Sequence, residues 1–183
     1  DKFTQLRFVE NQGQWDRSIS FKTDIPNGTA YFSENAIAYT LFKESSNTSG
    51  HPHNTTHNSK LDCHNLIINF QKSQATDILG SDTWKGNWNY ILGNQPSKWV
   101  KDVKSFKKVT YQSLYEGVKM EVFQKKDHLK YQFLVKPKSD PDQIKMFYQG
   151  AQSLSIINGQ LHIETSIDKL IEDPSIGPKR VER

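Results

Sequence analysis

Histidine and cysteine side chains, which bind transition metals, are concentrated in one short stretch of the sequence. The stretch HPHNTTHNSKLDCH contains five such residues: His51, His53, His57, Cys63 and His64. They are close enough along the chain to converge on one zinc or copper ion. Their spacing is not that of a zinc finger, since no second Cys or His pair follows at the expected distance. We therefore interpret the stretch as a solvated polar loop, and the sequence predicts no metal and no other cofactor.

Carboxylates offer a second chemistry, because two of them can act as acid and base in glycoside hydrolysis. The candidates are Asp82, Glu116, Glu121, Asp140 and Asp142. Asp140 before Pro141 is typical of a turn cap, and Glu116 in LYEGV is typical of a turn before a strand. The sequence has no Gly-x-Ser-x-Gly motif, and the polar surroundings of Cys63 give no reason for a thiolate. The sequence thus predicts no catalytic residue, with an envelope hydrolase as the least favoured alternative.

Aromatic residues supply the third candidate site, within the stretch WKGNWNYILGNQPSKW. They are Trp84, Trp88, Tyr90 and Trp99. One interpretation is packing, in which Trp88 and Trp99 clamp the LGNQPSK turn against a sheet. The other is a carbohydrate-binding platform, whose most exposed member would be Trp84 because the polar, flexible segment KGN follows it. The sequence is compatible with both interpretations.

Period-two alternation predicts the strands that must position these residues. In HLKYQFLV, apolar side chains occupy every second position and are expected to face the core: Leu129, Tyr131, Phe133 and Val135. The same alternation recurs in three further runs, with apolar residues Val118, Met120 and Val122; Leu66, Ile68 and Phe70; and Ile37, Tyr39 and Leu41. We expect the first of these runs to share the inward face with HLKYQFLV.

Turn residues divide the alternating runs into hairpins. Asn158-Gly159 in SLSIINGQLHIE favours the positive φ angles of a type I′ turn, and Lys125–Asp127 is short enough to close a second hairpin. Helical patterning is scarce, and its best candidate runs from Pro96 to Val103. Residues 44–60 are polar and predict a long, mobile surface loop. Together these features predict an all-β, antiparallel, sandwich-like domain with hairpins and little helix.

Composition indicates a folded domain without a nucleic-acid role. The chain has 183 residues, 34% of them hydrophobic, and its net charge of +4 comes from basic residues scattered along the chain. No apolar run approaches the roughly 18 residues that span a bilayer, and the first residues lack the basic and apolar regions of a signal peptide. Because the chain opens on Asp1 and ends on KRVER, we expect residues 1–183 to be a single module from a longer protein.

Four blocks of sequence carry a family resemblance: FVENQGQWD, IPNGTAYFSENAIAYTLF, NYILGNQPSKWVKDVKSFKKVTYQSLYEGVKMEVF and LKYQFLVKPKSDPDQIKMFYQGAQSLSIINGQLHIET. In this order they resemble the N-terminal β-rich module of very large secreted proteins of gliding Gram-negative bacteria. In those proteins the module precedes β-propeller-type repeats or polycystic-kidney-disease-type domains, and a type IX secretion domain ends the chain. The sequence departs from the family at Val118, where an Asp is usual, and in its His-rich loop.

The resemblance implies a secreted or cell-surface protein on the extracellular side of the outer membrane. It implies a non-catalytic structural or interaction module in adhesion or surface assembly, whose partners are other domains of the same chain or a cell-surface protein or glycan. Nucleic acid and membrane insertion are not expected. Within FVENQGQWD, Trp15 is expected to cap the open end of a sheet, while Asn11 and Gln14 bond to backbone groups at an edge.

The metal-free interpretation of the His-rich loop predicts a thermal result. Stoichiometric zinc or copper should leave the melting temperature unchanged, because only a ligand that binds the native state stabilises it. Differential scanning calorimetry with and without EDTA measures this. A substantial rise in melting temperature with either metal would overturn the interpretation.

Overall fold

The computed structural model describes residues 5–46, 59–91, 93–96 and 99–172. Within these ranges the chain forms fifteen strands: β1 Phe8–Glu10, β2 Phe21–Ile25, β3 Gly28–Ser33, β4 Ala36–Ser46, β5 Ser59–Phe70, β6 Ile78–Thr83, β7 Trp88–Tyr90, β8 Val100–Val103, β9 Ser105–Tyr115, β10 Val118–Lys125, β11 His128–Val135, β12 Met146–Gln149, β13 Ser153–Ile157, β14 Gln160–Glu164 and β15 Lys169–Glu172. A short 3₁₀ turn occupies Pro141–Gln143. The described ranges contain no helix that is long and apolar enough to cross a bilayer. The predicted all-β antiparallel fold is confirmed.

The large sheet branches at β9. Nine of its ten strands follow the order β11-β10-β9-β1-β2-β3-β4-β5-β12, and the tenth, β6, pairs with β9. β10 pairs with β9 between Lys108 and Tyr115, whereas β1 pairs with it only at Ser105 and Phe106. Phe106 is also paired with Thr83 of β6. Since a strand has only two hydrogen-bonding edges, β6 takes one edge, and β1 replaces β10 on the other where β10 ends.

This branch folds the sheet into two layers that share one core. One layer contains β6, β9, β10 and β11, and the other contains β1 to β5 with β12. Ring pairs cross between them, with centroids 5.6 Å apart for Phe70 and Tyr111 and 5.9 Å apart for Phe21 and Phe106. The buried Tyr111 O–H also donates to the Ala36 carbonyl at 3.3 Å. The layers are therefore held by aromatic packing and by a buried hydrogen bond.

The apolar alternation identified the core face correctly. Its residues on β4, β5 and β10 are buried: Ile37, Leu41, Leu66, Ile68, Phe70, Val118, Met120 and Val122. On β11 the expected face is the right one, because Phe133 pairs with Met120 and Tyr131 with Val122. Val135 nevertheless remains 38% exposed, and Phe133 is only half-buried. β11 ends the sheet order, so its side chains are covered less completely than those of β10.

Two predicted hairpins are present with the expected turns. Asn158 and Gly159 have φ angles of 52° and 79° between β13 and β14, as a type I′ turn requires. The turn between β10 and β11 contains Lys126, whose φ is 57°. β13, β14 and β15 form a separate three-stranded sheet. It packs on the core through Leu161 and Ile163 of β14.

Two other predictions need correction. Residues 44–46 and 59–60 are not loop, because β4 and β5 continue their ladder until Ser46 pairs with Ser59; the rest of the predicted loop lies outside the described residues. The predicted helical segment is present only at its start, where a 3₁₀ turn at Pro96 has the Trp99 N–H donating to the Pro96 carbonyl at 3.1 Å. Val100–Val103 instead form strand β8, which pairs with β7. Asp102 within β8 has a φ of 60°, which is incompatible with a right-handed helix.

Truncating a buried side chain of the sheet should destabilise the domain much more than truncating an exposed one. Phe32→Ala should lower the free energy of unfolding by about 3–5 kcal/mol, because Phe32 is fully buried against the Phe8 ring. The control Leu79→Ala should stay within about 0.5 kcal/mol, since Leu79 is mostly exposed. Urea unfolding followed by circular dichroism compares them. Equal losses would mean that the layers do not pack as described.

Candidate functional site

The FVENQGQWD segment forms a hydrogen-bonded loop that fixes the position of Trp15. The Asn11 side-chain amide donates to the carbonyls of Asp16 (2.8 Å) and Ile19 (2.7 Å). Its Oδ1 accepts from the N–H groups of Gly13 (3.0 Å) and Trp15 (3.2 Å). With a longer bond of 3.4 Å from its amide to the Trp15 carbonyl, one side chain thus contacts five backbone groups of the loop. Together with the bond of 2.6 Å from the Gln14 amide to a backbone carbonyl, this confirms the prediction for both amide residues.

Aromatic rings and cations meet on the surface beside this loop. The Trp15 ring contacts Tyr90 edge-to-face at 5.5 Å, and the Lys22 ammonium lies 5.7 Å from the Trp15 ring. The Arg7 guanidinium lies 4.6 Å from the centroid of Trp84 and 5.9 Å from that of Trp88. Lys107 Nζ lies 4.7 Å from the Trp84 ring. We call these residues the aromatic–cation surface: Arg7, Trp15, Lys22, Trp84, Trp88, Tyr90 and Lys107.

The tryptophans on this surface reverse the predicted order of exposure. Trp84 was expected to be the most exposed ring, but it is half-buried, while Trp88 is 45% exposed. Trp84 is held at the end of β6 by the bond from its backbone N–H to the Ser105 carbonyl (2.9 Å) and by the two cations against its ring. Trp88 lies on the two-stranded β7–β8 ribbon, which forms its own small sheet. The expectation that Trp88 is a packed clamp is therefore wrong.

The packing interpretation holds for Trp99. Its indole N–H donates to the Gly93 carbonyl at 3.2 Å, which ties the start of β8 to the turn that follows β7. Trp99 thus fixes the ribbon from within, and Trp88 is left as the ring with an open face.

A cavity of about 320 Å³ opens beside Trp84, where β9 exchanges β10 for β1. Its lining residues are Gln5, Leu6, Trp84, Lys107, Gln124 and Lys126. Gln124 joins two of its walls, because its Oε1 accepts from the Leu6 N–H at 2.8 Å and its Nε2 donates to the Lys126 carbonyl at 2.7 Å. The cavity wall is thus fixed by side-chain bonds between the N-terminal segment and the β10–β11 turn.

Two lysines, Lys107 and Lys126, line the cavity, and the Arg7 guanidinium lies against the ring of its Trp84 wall. In the part of the chain that the structure describes, Arg7, Lys107 and Lys126 form no ion pair with a carboxylate, whereas the neighbouring Lys108 pairs with Glu121 at 3.0 Å. Since Arg7 and Lys107 each lie within 5 Å of the Trp84 centroid, their charges are within about 10 Å of each other. That is about one Debye length at physiological salt, so their repulsion is only partly screened.

The candidate metal ligands do not come together among the described residues. His51, His53 and His57 lie outside those residues, and Cys63 is an exposed free cysteine on β5. His64 bonds through both ring nitrogens, to Ser166 Oγ at 2.8 Å and to the Gly150 carbonyl at 2.9 Å. Within the described ranges no three His, Cys, Asp or Glu side chains form a possible metal group. His64 instead links β5 to the three-stranded sheet.

The candidate carboxylates have local contacts of their own. Asp140 accepts from the Asp142 N–H at 2.9 Å and caps the 3₁₀ turn, as expected. Glu116 lies in the β9–β10 turn, also as expected, and Asp82 adopts a φ of 58° near the end of β6. Hydrogen bonds from Gln132 and then from Lys108 lower the pKa of Glu121. A carboxyl group with a lowered pKa is ionised at neutral pH and is a poor general acid.

Sequence reasoning missed a cluster of tyrosines around Glu172. Glu172 Oε2 on β15 accepts from the hydroxyls of Tyr131 (2.6 Å) and Tyr148 (3.0 Å). These tyrosines lie on β11 and β12, the two ends of the large sheet. Burial raises the pKa of the hydroxyls of Tyr39, Tyr131 and Tyr148, and the nearby Glu172 carboxylate raises it further. The hydroxyls remain protonated donors at neutral pH, so the cluster joins three strands rather than offering a nucleophile.

Residues 8–176 match the family model described as Domain of unknown function (DUF7948). The chain belongs to the DUF7948 family. No curated protein and no solved structure matches the chain. The part of the DUF7948 domain matched by the family model includes β1 to β15, and thus most of the aromatic–cation surface and the tyrosine cluster.

The tyrosine cluster predicts a loss of stability in alkali. Because its hydroxyls have a raised pKa in the folded state, their contribution is complete below the unfolded value of about 10 and is lost as the pH rises further. Tyr148→Phe should make the decline above pH 10 shallower, by up to about 1.4 kcal/mol per pH unit, which is the limit for one proton. Urea unfolding at several pH values between about 9 and 12 measures the slope. The control is Tyr31→Phe, because Tyr31 on β3 lies on the face opposite to that of the buried Phe32. An equal change of slope in both variants would contradict the assignment of the alkaline decline to the tyrosine cluster.

Proposed function

We propose that this DUF7948 domain is a non-catalytic interaction module of a larger secreted or cell-surface protein, and that it binds saccharide through the aromatic–cation surface. The observation that carries this proposal is Trp88, a large ring that stays 45% exposed beside Trp84 and Arg7. Burying an indole against another apolar surface is strongly favourable, so a ring left open within an aromatic group is typical of recognition. A flat, amphipathic indole can stack on the apolar face of a sugar ring.

The surroundings of Trp88 support a pre-formed site. Trp99 fixes the β7–β8 ribbon through its bond to Gly93, and the Asn11 loop fixes Trp15 against Tyr90 of the same ribbon. A surface that is already ordered loses little conformational entropy when it binds. The geometry therefore favours a binding surface that needs no rearrangement.

The cellular setting is part of the proposal and rests on the sequence resemblance. Secretion by the type IX route and a role in adhesion or surface assembly of gliding bacteria would bring the module into contact with surface polysaccharides. Other domains of the same chain would then provide attachment, and this module would provide the contact with saccharide.

Removing the exposed ring should abolish saccharide binding without unfolding the domain. Trp88→Ala should lower saccharide affinity at least about tenfold, the effect expected when a central aromatic contact is lost. Its melting temperature should stay close to that of the wild type, because half-exposed Trp88 contributes little to the core. Glycan-array screening followed by titration calorimetry measures the affinity.

The matched control is Phe147→Ala, which removes another partly exposed ring, on β12. It should leave saccharide affinity unchanged. The proposed function fails if no saccharide binds the wild-type domain, or if both variants bind as the wild type does.

A further inference from the structure

We propose that the cavity beside Trp84 is a subsite for an acidic sugar unit, one that carries a carboxylate or sulfate group. The negative group would be bound by three cations, Arg7, Lys107 and Lys126. This inference rests on the proposed saccharide-binding function and adds the ligand class. Neutral sugars would be bound by ring stacking alone, and acidic sugars by stacking together with the cations.

The size and walls of the cavity suit one sugar unit. Its volume of about 320 Å³ is at the lower end of the range of roughly 300–1,000 Å³ found for small-molecule sites. Trp84 gives it an aromatic wall, and Gln5 adds an amide at the edge. The bonds of Gln124 to Leu6 and Lys126 hold its two sides at a fixed separation. An apolar wall with a few placed polar groups is the usual composition of a small-molecule site.

The convergence of cations argues for an anionic ligand. The three come from separate parts of the chain, namely the segment before β1, strand β9 and the β10–β11 turn. Bringing like charges together costs free energy when no carboxylate of the described residues pairs with them. A bound anion would offset this repulsion. Arginine also binds carboxylate and sulfate groups through two parallel hydrogen bonds, which adds orientation to the attraction.

The aromatic contacts keep two of these cations in place. Arg7 and Lys107 both lie against the Trp84 ring, at 4.6 and 4.7 Å from its centroid. Cation–π attraction holds the charged groups near the cavity, although both side chains have many rotamers. Their ordering is therefore provided by the fold before any ligand binds.

Oligogalacturonate and its methyl ester test the inference, because esterification removes the charge of the sugar acid and adds only a methyl group. At low ionic strength the acid should bind at least about tenfold more tightly than the ester, as charge-assisted hydrogen bonds are gained. A sulfated galactan oligosaccharide, run in parallel, shows whether sulfate is accepted in place of carboxylate. Inorganic sulfate at equal ionic strength separates sugar recognition from simple anion binding.

Charge-neutralising variants locate the effect. Lys107→Gln and Lys126→Asn should each reduce the affinity for the acid by about fivefold or more and leave that for the ester unchanged. Asparagine is chosen at Lys126 because it tolerates the positive φ of 57° there. The control Lys136→Gln removes an exposed lysine from the far end of the same hairpin, about 25 Å away along β11. It should leave both affinities unchanged, and thermal melts verify that every variant is folded.

The possible results separate this inference from the proposed function. Equal affinities for acid and ester, both lost in Trp88→Ala, would sustain the proposed function and overturn the acidic subsite. An equal loss in Lys136→Gln and Lys107→Gln, or equal competition by inorganic sulfate, would also overturn the subsite. Absence of binding to any saccharide would overturn both. A preference for the acid that disappears only in the Lys107 and Lys126 variants would establish the subsite.

Discussion

The rest of this structure depends on one constraint of backbone pairing: two strands, β10 and β1, pair in succession along the same edge of β9. A strand offers two rows of backbone hydrogen-bonding groups, and β9 gives one row to β6 and divides the other between β10 and β1. The change of partner at Phe106 turns the sheet back on itself, because β9 of one layer pairs there with β1 of the other. Buried Tyr111 can then bond to Ala36 in the opposite layer. Without this branch, the inner faces of the two layers would be exposed to water.

The same branch creates the candidate site. Because β10 ends where β1 begins, the segment before β1 lies against Gln124 and the turn that contains Lys126. Because β6 follows β9 as far as Phe106, the chain leaves β6 with Trp84 next to Lys107. The cavity is thus the gap left when one edge changes partners. Its position follows from backbone pairing, while its charge follows from the side chains at that point.

The free ends of the sheet are managed by a different device. Exposed strand edges pair readily with other chains, and proteins usually cover or charge them. Here Glu172 of the three-stranded sheet accepts hydrogen bonds from Tyr131 on β11 and Tyr148 on β12. A carboxylate bound by two tyrosine hydroxyls lets the small sheet hold both ends of the large one. His64 adds a second attachment through Ser166 and the Gly150 carbonyl.

The sequence by itself determined the strand class, the core faces of β4, β5 and β10, and the two hairpin turns, since alternation and turn residues act over a few positions. The hydrogen bonds of the Asn11 side chain could likewise be predicted from the sequence, because they all lie within nine residues, from position 11 to position 19. Only the tertiary structure decided which tryptophan is exposed, because that depends on whether a distant layer covers the ring. It also decided that β8 is a strand, through pairing with β7, and that Arg7, Lys107 and Lys126 converge. Neither local periodicity nor composition records contacts between residues a hundred positions apart. The sequence therefore indicated the aromatic stretch, but the cavity beside Trp84 and its cations followed only from the tertiary structure.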